Sequence, residues 1–283
     1  MKTEKNAFQI MIAKLLYVTG DSCPHCSNDM YAWRQKNRDG SDRCGPTCMA
    51  CGYKMLKKKE AVATKKLSEE STRGKVVNFL RFGSLLSDKA ILDCRISNFK
   101  IVDEETKRAQ ARANLVVTRV LLGEPIQAIF LGNPGVGKSH LAMGVCWDVI
   151  EKSNYNKQSL YVNYPKLLDS LKFAFNDEQA RRSITGELMS EIQKADMLVV
   201  DDIGAELGVF TEKTISSQYN NDTLTRIADA RQNKPTIYTT NLNVNQLTQT
   251  YGRRIVSRMA NNSNGFGFTF KTTKDKRIHG IEE

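Results

Sequence analysis

The chain has 283 residues, 40% of them hydrophobic and 26% charged, which allows a hydrophobic core and excludes a wholly disordered chain. No apolar run approaches the roughly 20 residues that a membrane-spanning helix needs, so the sequence excludes an integral membrane protein. The formal net charge is +11, and residues 1–75 carry 7 of this excess, which suits either polyanion binding or a basic solvated surface.

Three zones of different composition divide the chain, and each predicts its own structural unit. Residues 1–53 are rich in cysteine and small polar residues from residue 19 onward, which predicts a small domain without a core of its own. Residues 54–89 begin with a highly charged stretch and are predicted to form a charged helical linker. Residues 90–283 are predicted to form one α/β domain.

Paired cysteines dominate the first zone. Two CxxC pairs are separated by 21 residues, close to the spacing of structural zinc sites. Metal binding would supply most of the folding energy of a zone that lacks a core. A redox-active CxxC is the rival interpretation, and Cys44 and His25 are alternatives for one ligand. We predict that Zn²⁺ is bound by four thiolates: Cys23, Cys26, Cys48 and Cys51.

Short apolar runs alternate with longer helix-like stretches from Val76 onward. Such runs are typical of buried parallel strands, and the stretches between them of helices that cover the sheet. This pattern predicts a three-layer α/β domain. The predicted strands are Ala128–Leu131, Leu160–Val162, Met197–Val200 and Thr236–Tyr238.

The strongest motif is a phosphate-binding loop. The segment GNPGVGKS matches GxxxxGK[ST] at every fixed position, and it lies between the apolar run QAIFL and a helix-like stretch. Its backbone N–H groups can form an anion nest at a helix N-terminus. Lys138 is predicted to reach the β and γ phosphates of ATP, and the Ser139 hydroxyl to bind Mg²⁺. The weaker alternative is a glycine-rich turn with an accidental lysine. The predicted nucleotide-binding residues are Gly132, Asn133, Pro134, Gly135, Val136, Gly137, Lys138, Ser139, His140 and Asp201.

Two more apolar strands end in polar side chains. The strand MLVVDDIG ends in Asp201, which is predicted to hold Mg²⁺, and Asp202, which is predicted to deprotonate the attacking water. The strand PTIYTTN ends in Asn241, whose amide is predicted to sense the γ phosphate and position water. The alternatives are a solvated strand end and an ordinary turn asparagine.

An arginine-rich segment, YGRRIVSRM, follows the last of these strands. Arg254 and Arg258 lie four residues apart and therefore on one face of a helix. Presented to a neighbouring protomer, such an arginine would stabilise charge on a transferring phosphoryl group. A pair of surface arginines bound to acidic neighbours is the alternative.

The order of these motifs resembles that of the AAA+ ATPases, specifically the bacterial helicase loaders of the DnaC and DnaI type. The resemblance covers about residues 90–270, and its specific phrases are DCRISNFKI, LLDSLKFAF, LVVDDIGAE and KPTIYTTNL. It implies a three-layer AAA+ domain with a central parallel sheet, ATP hydrolysis with Mg²⁺, and self-association. The family's acidic pair maps onto Asp201 and Asp202, its sensor asparagine onto Asn241, and its trans-acting arginine onto Arg258, supported by Arg254.

The same resemblance implies partners. These loaders deliver the ring-shaped replicative helicase of the DnaB family to single-stranded DNA, which implies a cytoplasmic bacterial protein of chromosomal or phage origin. A helical insertion of the family contacts the DNA, and it maps here onto Lys172, Phe173 and Phe175, a cation beside aromatic rings. The aromatic pair could instead face the core. The DnaI type has an N-terminal zinc module that docks on the helicase, so residues 1 to about 75 are expected to engage it.

Two points stay open at this stage. In the stretch Lys271–Arg277 we identify no arginine as a second nucleotide sensor, which leaves sensing within one chain in doubt. The rival function is that of an IstB-type transposition helper ATPase, which shares the ATPase core and acts with a transposase. A zinc-stabilised adaptor whose nucleotide site only folds it is a third interpretation.

Overall fold

A computed structural model describes residues 14–174, 184–208, 211, 214–263 and 265–277, with the backbone alone at 56–61 and 184–185. Residues 1–13 of the predicted zinc domain therefore lie outside the described part. The chain divides into two compact units, Met1–Ser71 and Thr72–Glu283. Across the described ranges, no helix has both the length and the apolar character needed to span a bilayer.

The first unit contains a three-stranded antiparallel sheet in the order β1-β2-β3. Its strands are β1 (Leu16–Ser22), β2 (Asp29–Trp33) and β3 (Thr47–Cys48). Among the described residues of this unit, Cys23, Met30 and Cys48 form the cluster of buried hydrophobic side chains. A cluster of this size offsets little of the conformational entropy that folding costs.

Helix α1 (Met55–Gly83) begins in the first unit and ends in the second. Its first half contains the charged stretch that predicted a helical linker. Its last turns belong to the core of the second unit, where Val76 and Leu80 are buried. The division between the units falls after Ser71, and buried apolar side chains tie the end of this helix to the α/β core.

Five parallel strands form the central sheet of the second unit, in the order β5-β6-β7-β4-β8. They are β4 (Gln127–Leu131), β5 (Ser159–Asn163), β6 (Met197–Ile203), β7 (Thr236–Thr240) and β8 (Phe268–Thr269). The first four confirm the strands predicted from apolar runs. The fifth is only two residues long, too short to produce such a run.

Helices cover both faces of this sheet. One face is covered by the end of α1, by α2 (Glu104–Leu121) and by α3 (Lys138–Lys152). The other is covered by α4 (Tyr164–Phe173), α5 (Met189–Lys194), α6 (Gln218–Ala230), α7 (Val244–Tyr251) and α8 (Arg253–Met259). Single turns of 3₁₀-helix occupy Lys89–Asp93 and Ala205–Leu207, and a π-helical turn occupies Ile184–Leu188.

Strand side chains alternate between the two layers, as the two-residue period of a strand requires. In β4, Phe130 packs with the α2–α3 layer, whereas Ile129 and Leu131 pack with the opposite layer. Every residue of β4, β5 and β7 is buried, so the sheet is covered on both faces. The predicted three-layer fold is confirmed.

One charged side chain is part of this core. Arg231, directly after α6, is fully buried, and its burial lowers the pKa of the guanidinium to about 10. Its N–H groups donate to the carbonyl oxygens of Ile192 (3.0 Å), Ala195 (2.6 Å) and Pro235 (2.6 Å) and to Thr236 Oγ1 (3.1 Å). This side chain therefore ties the end of α5 to the start of β7.

Candidate functional site

Four thiols converge in the first unit. The Sγ atoms of Cys23, Cys26, Cys48 and Cys51 all lie within 4.8 Å of one another. The Cys23–Cys51 and Cys26–Cys48 sulfur distances are 3.6 and 3.4 Å, too long for a disulfide bond of about 2.05 Å. A tetrahedron with Zn–S bonds of about 2.3 Å places its sulfur atoms about 3.8 Å apart, so this donor set fits Zn²⁺.

At one of the four cysteines, Cys26, the surroundings favour the thiolate form that a metal requires. The backbone N–H of Asn28, together with its side-chain amide, lowers the pKa of Cys26 to about 6. The cluster consists of the four predicted ligands. In the described part of the chain it includes neither of the two alternatives, Cys44 and His25.

A separate cavity of about 710 Å³ opens in the second unit, where the strands β4, β6 and β7 end. Because β4 lies between β7 and β8, the loop after β4 adjoins the residues that follow β7. Such strand ends are the usual ligand site of parallel α/β sheets. Four groups line the cavity: residues 87–100, the phosphate loop, the polar strand ends Asp201, Asp202 and Asn241, and the C-terminal residues Lys276 and Arg277.

The phosphate loop turns sharply into α3. Gly137 precedes that helix with φ of 104°, and a Cβ at this position would lie 2.5 Å from the Phe99 ring, so only glycine fits. Val136 is buried in the hydrophobic core and thereby anchors the loop. His140, in the first turn of α3, points at residues 93–101, with Nε2 2.8 Å from Asn98 Oδ1.

Lys138 connects the loop with the end of β7. Its Nζ donates to the carbonyl oxygens of Gly132 (2.7 Å) and Asn133 (2.8 Å) and to Asn241 Oδ1 (2.8 Å). Burial lowers the pKa of Lys138 to about 8, while the carboxylate of Asp202 opposes this shift. The structure therefore brings together the predicted phosphate lysine and the predicted sensor asparagine, which lie 103 residues apart in sequence.

The two carboxylates at the end of β6 are held by neighbouring strands. Asp201 is buried and accepts a hydrogen bond of 2.6 Å from Thr239 Oγ1. The same hydroxyl accepts from the backbone N–H of Asp202 at 2.9 Å. Asn163 Nδ2 donates to Asp202 Oδ2 at 3.2 Å, since β5 pairs with β6 in a register that places Asn163 opposite Asp201.

Asp202 has unusual backbone and electrostatic properties. Its φ of 60° lies in the left-handed region, which aspartate and asparagine tolerate better than most residues, and the β6–β7 register shifts at this point. Burial, and then the negative charge of Asp201, raise the pKa of Asp202 to about 6. A carboxyl group of this kind can exchange a proton with water near neutral pH.

Sequence reasoning missed several residues around the cavity. Asn163 follows a predicted strand, as the polar residues of the other motifs do, so the same rule could have found it. Thr239 carries no such signal, because only the strand register places its hydroxyl between the Asp201 carboxylate and the backbone N–H of Asp202. Arg277 was not identified as a sensor, yet the structure places it at the cavity. Its positive charge acts on both Lys138 and Asp202.

The two predicted trans-acting arginines lie on α8 in different settings. Arg254 is exposed. Arg258 is 21% exposed and forms an ion pair with Asp229, with an Nε–Oδ1 distance of 2.9 Å. The part of the chain that the structure describes does not bring either arginine to the lining of its own cavity. Their predicted role thus requires the cavity of a second protomer.

The residues predicted to bind DNA are placed in part. Lys172 and Phe173 lie at the end of α4, and the Phe173 ring is 87% exposed, so it does not face the core. Lys172 lies 3.9 Å from Asp169 in an exposed ion pair. Phe175 lies outside the described residues.

Comparisons with known proteins agree with this geometry. The replicative helicase loader DnaC of Escherichia coli (strain K12) is 29% identical over 171 residues, which is 59% of this chain and 63% of the relative. The match thus spans less than two thirds of the curated relative. A crystal structure of the DnaC helicase loader superposes with a TM-score of 0.54 at 20% identity, covering 65% of this chain and 100% of the other.

A structure of DnaI superposes with a TM-score of 0.53 at 23% identity, covering 68% of this chain and 96% of the other. Both superpositions show the AAA+ type of three-layer fold. The model of the family described as "IstB-like ATP binding protein" matches residues 70–260, about two thirds of the chain and the whole segment from the end of α1 to α8. The chain therefore belongs to the family of IstB-like ATP-binding proteins.

Proposed function

We propose that this protein is an ATP-dependent loader that delivers a replicative helicase of the DnaB family to single-stranded DNA. One observation carries the proposal: Lys138 of the phosphate loop, the Asp201–Asp202 pair and Asn241 line one cavity. The homology to DnaC loaders then selects helicase loading among the activities that such a site can drive.

The cavity residues have distinct roles in this proposal. Residues 132–140 bind the phosphates of ATP through backbone N–H groups at the start of α3, and Lys138 pairs with their negative charge. Asp202 accepts a proton from the attacking water, for which its pKa of about 6 is suited. Asn241 orients that water and contacts the γ phosphate. It is also hydrogen-bonded to Lys138.

Mg²⁺ fits the side chains available here. Ser139 and Asp201 both line the cavity and offer the oxygen ligands that this ion prefers. A bound Mg²⁺ would neutralise charge on the phosphates. Thr239 fixes the orientation of Asp201 toward this position through its hydrogen bond of 2.6 Å.

Hydrolysis is proposed to depend on a neighbouring protomer. Arg258, supported by Arg254, would approach the γ phosphate of the adjacent chain, so that ATP is cleaved only in an assembly. We expect Arg258→Ala to retain ATP binding and to lose DNA-stimulated hydrolysis by a factor of about 10³. Arg253→Ala, on the same helix, is the matched control. Full activity of the Arg258 variant would remove this arginine from the mechanism.

Two surfaces are assigned to the partners. The exposed Phe173 ring and the Lys172 ammonium are proposed to stack on and attract single-stranded DNA, together with Phe175. The first unit, with the four thiols occupied by Zn²⁺, is proposed to dock on the helicase. A phage- or chromosome-encoded bacterial protein of the cytoplasm is the expected setting.

A second candidate function is supported by the family match itself, whose description names IstB. In that case the partner is a transposase and the first unit serves a different contact. Both candidates require the same ATP site, so only the partner separates them.

Turnover tests the first step of the proposal. Lys138→Ala removes the ammonium that meets the phosphates, and we expect ATP hydrolysis to fall by at least about 100-fold with the fold intact. Lys152→Ala, at the exposed end of α3, is the control and should keep its activity. Unchanged turnover in the Lys138 variant would overturn the assignment of the site.

Capture of the partner tests the loading function. The zinc-loaded protein is incubated with purified hexameric helicase or with a transposase, and complexes are separated by size exclusion. Retention of the helicase, lost in Cys48→Ser and kept in Cys44→Ser, supports the loader. Retention of the transposase alone would replace it with the second candidate.

A further inference from the structure

A buried carboxylate outside the family motifs holds the C-terminal part of the chain. Glu105, in the first turn of α2, is only 6% exposed. Its oxygens accept hydrogen bonds from three consecutive backbone N–H groups, those of Lys271 (2.8 Å), Thr272 (3.1 Å) and Thr273 (2.8 Å). The hydroxyl of Thr273 donates a fourth bond, at 2.6 Å. Four donors on three residues fix this backbone in one position.

Glu105 does not serve as the cap of its own helix. That role belongs to Asp103, whose side chain accepts from the backbone N–H of Thr106 at 2.7 Å and completes a capping box. Burial by itself would raise the pKa of Glu105, but the hydrogen bonds from Thr273, Lys271 and Thr272 overcome it and lower the pKa to about 2. The carboxylate is therefore ionised at neutral pH, and its hydrogen bonds go to the C-terminal segment.

The segment held in this way, residues 270–277, is called here the C-terminal strap. It runs along the phosphate loop. The Phe270 N–H donates to Leu131 O at 2.8 Å, and the Lys276 N–H donates to Gly135 O at 3.2 Å. The Asp275 carboxylate packs so closely on Gly135 that a Cβ there would lie 1.6 Å from it. The strap therefore contacts the loop on both sides of the Glu105 anchor.

Two cations of the strap reach the nucleotide cavity. Lys276 and Arg277 both line it. Lys276 Nζ lies 4.0 Å from the centre of the Phe99 ring and donates to Lys100 O at 2.8 Å, which anchors it at the rim. Arg277 is exposed, and its charge acts on Lys138 and Asp202. The strap thus brings two cations to the cavity, against the single negative charge of Asp275 on Gly135.

We propose that Glu105 is a positioning residue for nucleotide binding, because it clamps the C-terminal strap on the phosphate loop and thereby holds Lys276 and Arg277 at the nucleotide cavity. The inference rests on the proposed nucleotide site and extends it to residues beyond the family match, which ends at residue 260. The ligand is a nucleoside triphosphate. The affinity of the protein for a triphosphate depends on the clamp more strongly than its affinity for a diphosphate. The reason is that the γ phosphate adds negative charge, which Lys276 and Arg277 attract when the clamp holds them at the cavity.

The test compares two neighbouring glutamates. Glu105→Gln replaces one of the two acceptor oxygens by an N–H₂ group, which cannot accept a hydrogen bond, and so weakens the clamp with little change of volume. Glu104→Gln makes the same change of charge on an exposed side chain of the same helical turn and serves as the matched control. The dissociation constants of fluorescent ATP and ADP analogues are measured for both variants, for Arg277→Ala and for the Glu105→Gln/Arg277→Ala double variant.

We expect Glu105→Gln and Arg277→Ala each to weaken ATP binding by about 5- to 30-fold, with a smaller loss for ADP. The double variant should bind no worse than Glu105→Gln alone, because loss of the clamp already removes Arg277 from the cavity. Glu104→Gln should remain within about twofold of the wild type. Thr273→Val, which removes one donor from the clamp and keeps the volume, should show an intermediate loss and replaces Glu105→Gln if that variant does not fold.

Different failures have different meanings. If the wild type binds neither nucleotide, the proposed function itself is overturned. If the wild type binds ATP and Glu105→Gln binds it equally well, or if the losses in the two single variants multiply in the double variant, the positioning role of Glu105 is overturned while the nucleotide site stands.

Discussion

The two units of this chain are stabilised by different means. In the described part of the first unit, the buried hydrophobic cluster has three members, two of which are cysteines that belong to the thiol cluster. In the second unit two extensive clusters lie on either side of a five-stranded sheet. A short, polar segment can therefore specify a fold by placing metal ligands, whereas a longer segment does so by periodic burial of apolar side chains.

The same difference separates the kinds of sequence signal. Ligand spacing identified the four thiols because a metal site depends on residue type and separation. Apolar runs identified four strands because strands that are buried on both faces are rich in apolar side chains. Ligand spacing predicts nothing about the second unit, and apolar runs predict nothing about the first. Removing one source of stability at a time therefore shows which unit depends on it.

Metal removal should have the largest effect. Structural zinc contributes on the order of 10 kcal/mol to folding in small domains, so a chelator should unfold the first unit and leave the second unit folded. Hydrogen–deuterium exchange measures the protection of both units in one experiment. We expect residues 16–53 to lose protection and residues 127–163 to keep it.

Two cysteine variants control this result. Cys48→Ser removes one predicted ligand and should reproduce the effect of the chelator, whereas Cys44→Ser lies outside the cluster and should behave as the wild type. If residues 16–53 stay protected after zinc has been removed, the first unit is stable without metal, and its proposed dependence on zinc is wrong.

The buried guanidinium should give the next largest effect. Arg231→Leu leaves the carbonyl groups of Ile192, Ala195 and Pro235 buried without their donor, which should lower the free energy of unfolding of the second unit by about 3–5 kcal/mol. Chemical denaturation of the zinc-loaded protein measures it.

The zinc content of this variant shows whether the change affects the second unit alone. Because the first unit depends on thiolates, Arg231→Leu should bind as much zinc as the wild type. Lys234→Ala, which removes a partly exposed donor to Gln193, should change stability by less than about 1 kcal/mol. An Arg231 variant as stable as the wild type would show that this side chain contributes nothing net to the core.

The acidic pair should give the smallest, pH-dependent effect. Because the pKa of Asp202 is raised from 3.8 to about 6, the folded chain binds this proton more tightly than the unfolded chain. The stability that Asp202 contributes is therefore present below pH 3.8 and is lost as the pH rises through 6. Asp202→Asn removes this dependence and should be more stable than the wild type by about 1–3 kcal/mol above pH 6.

Thermal melting of the nucleotide-free protein between pH 4.5 and pH 8 checks this sign. The gain of Asp202→Asn should shrink as the pH falls, whereas Asp222→Asn, at an exposed position on α6, should follow the wild type. A gain that is constant over this range would show that the raised pKa is not its source.

Much of the candidate site could be predicted because its chemistry is local in sequence. Lys138 and Ser139 lie within one eight-residue motif, and Asp201 and Asp202 are adjacent. The remaining contacts depend on strand order and register. Asn241 meets Lys138 only because β7 lies beside β4 in the sheet, an arrangement that the individual motifs do not encode.

Contacts made over long separations could not be predicted from patterns. Glu105 and Lys271 are 166 residues apart, and neither residue type nor spacing marks them as partners. Thr239 is one of two adjacent threonines in its strand, and only the pairing of β6 with β7 selects it as the partner of Asp201.

The continuity of α1 has a practical consequence for dissecting the protein. A cut at the division after Ser71 would sever the helix Met55–Gly83 into pieces of 17 and 12 residues. Isolated helices of this length are barely stable in water, so both fragments would fray at the new ends. Truncation just before Met55 leaves the helix whole, and it is the cleaner way to prepare the second unit by itself.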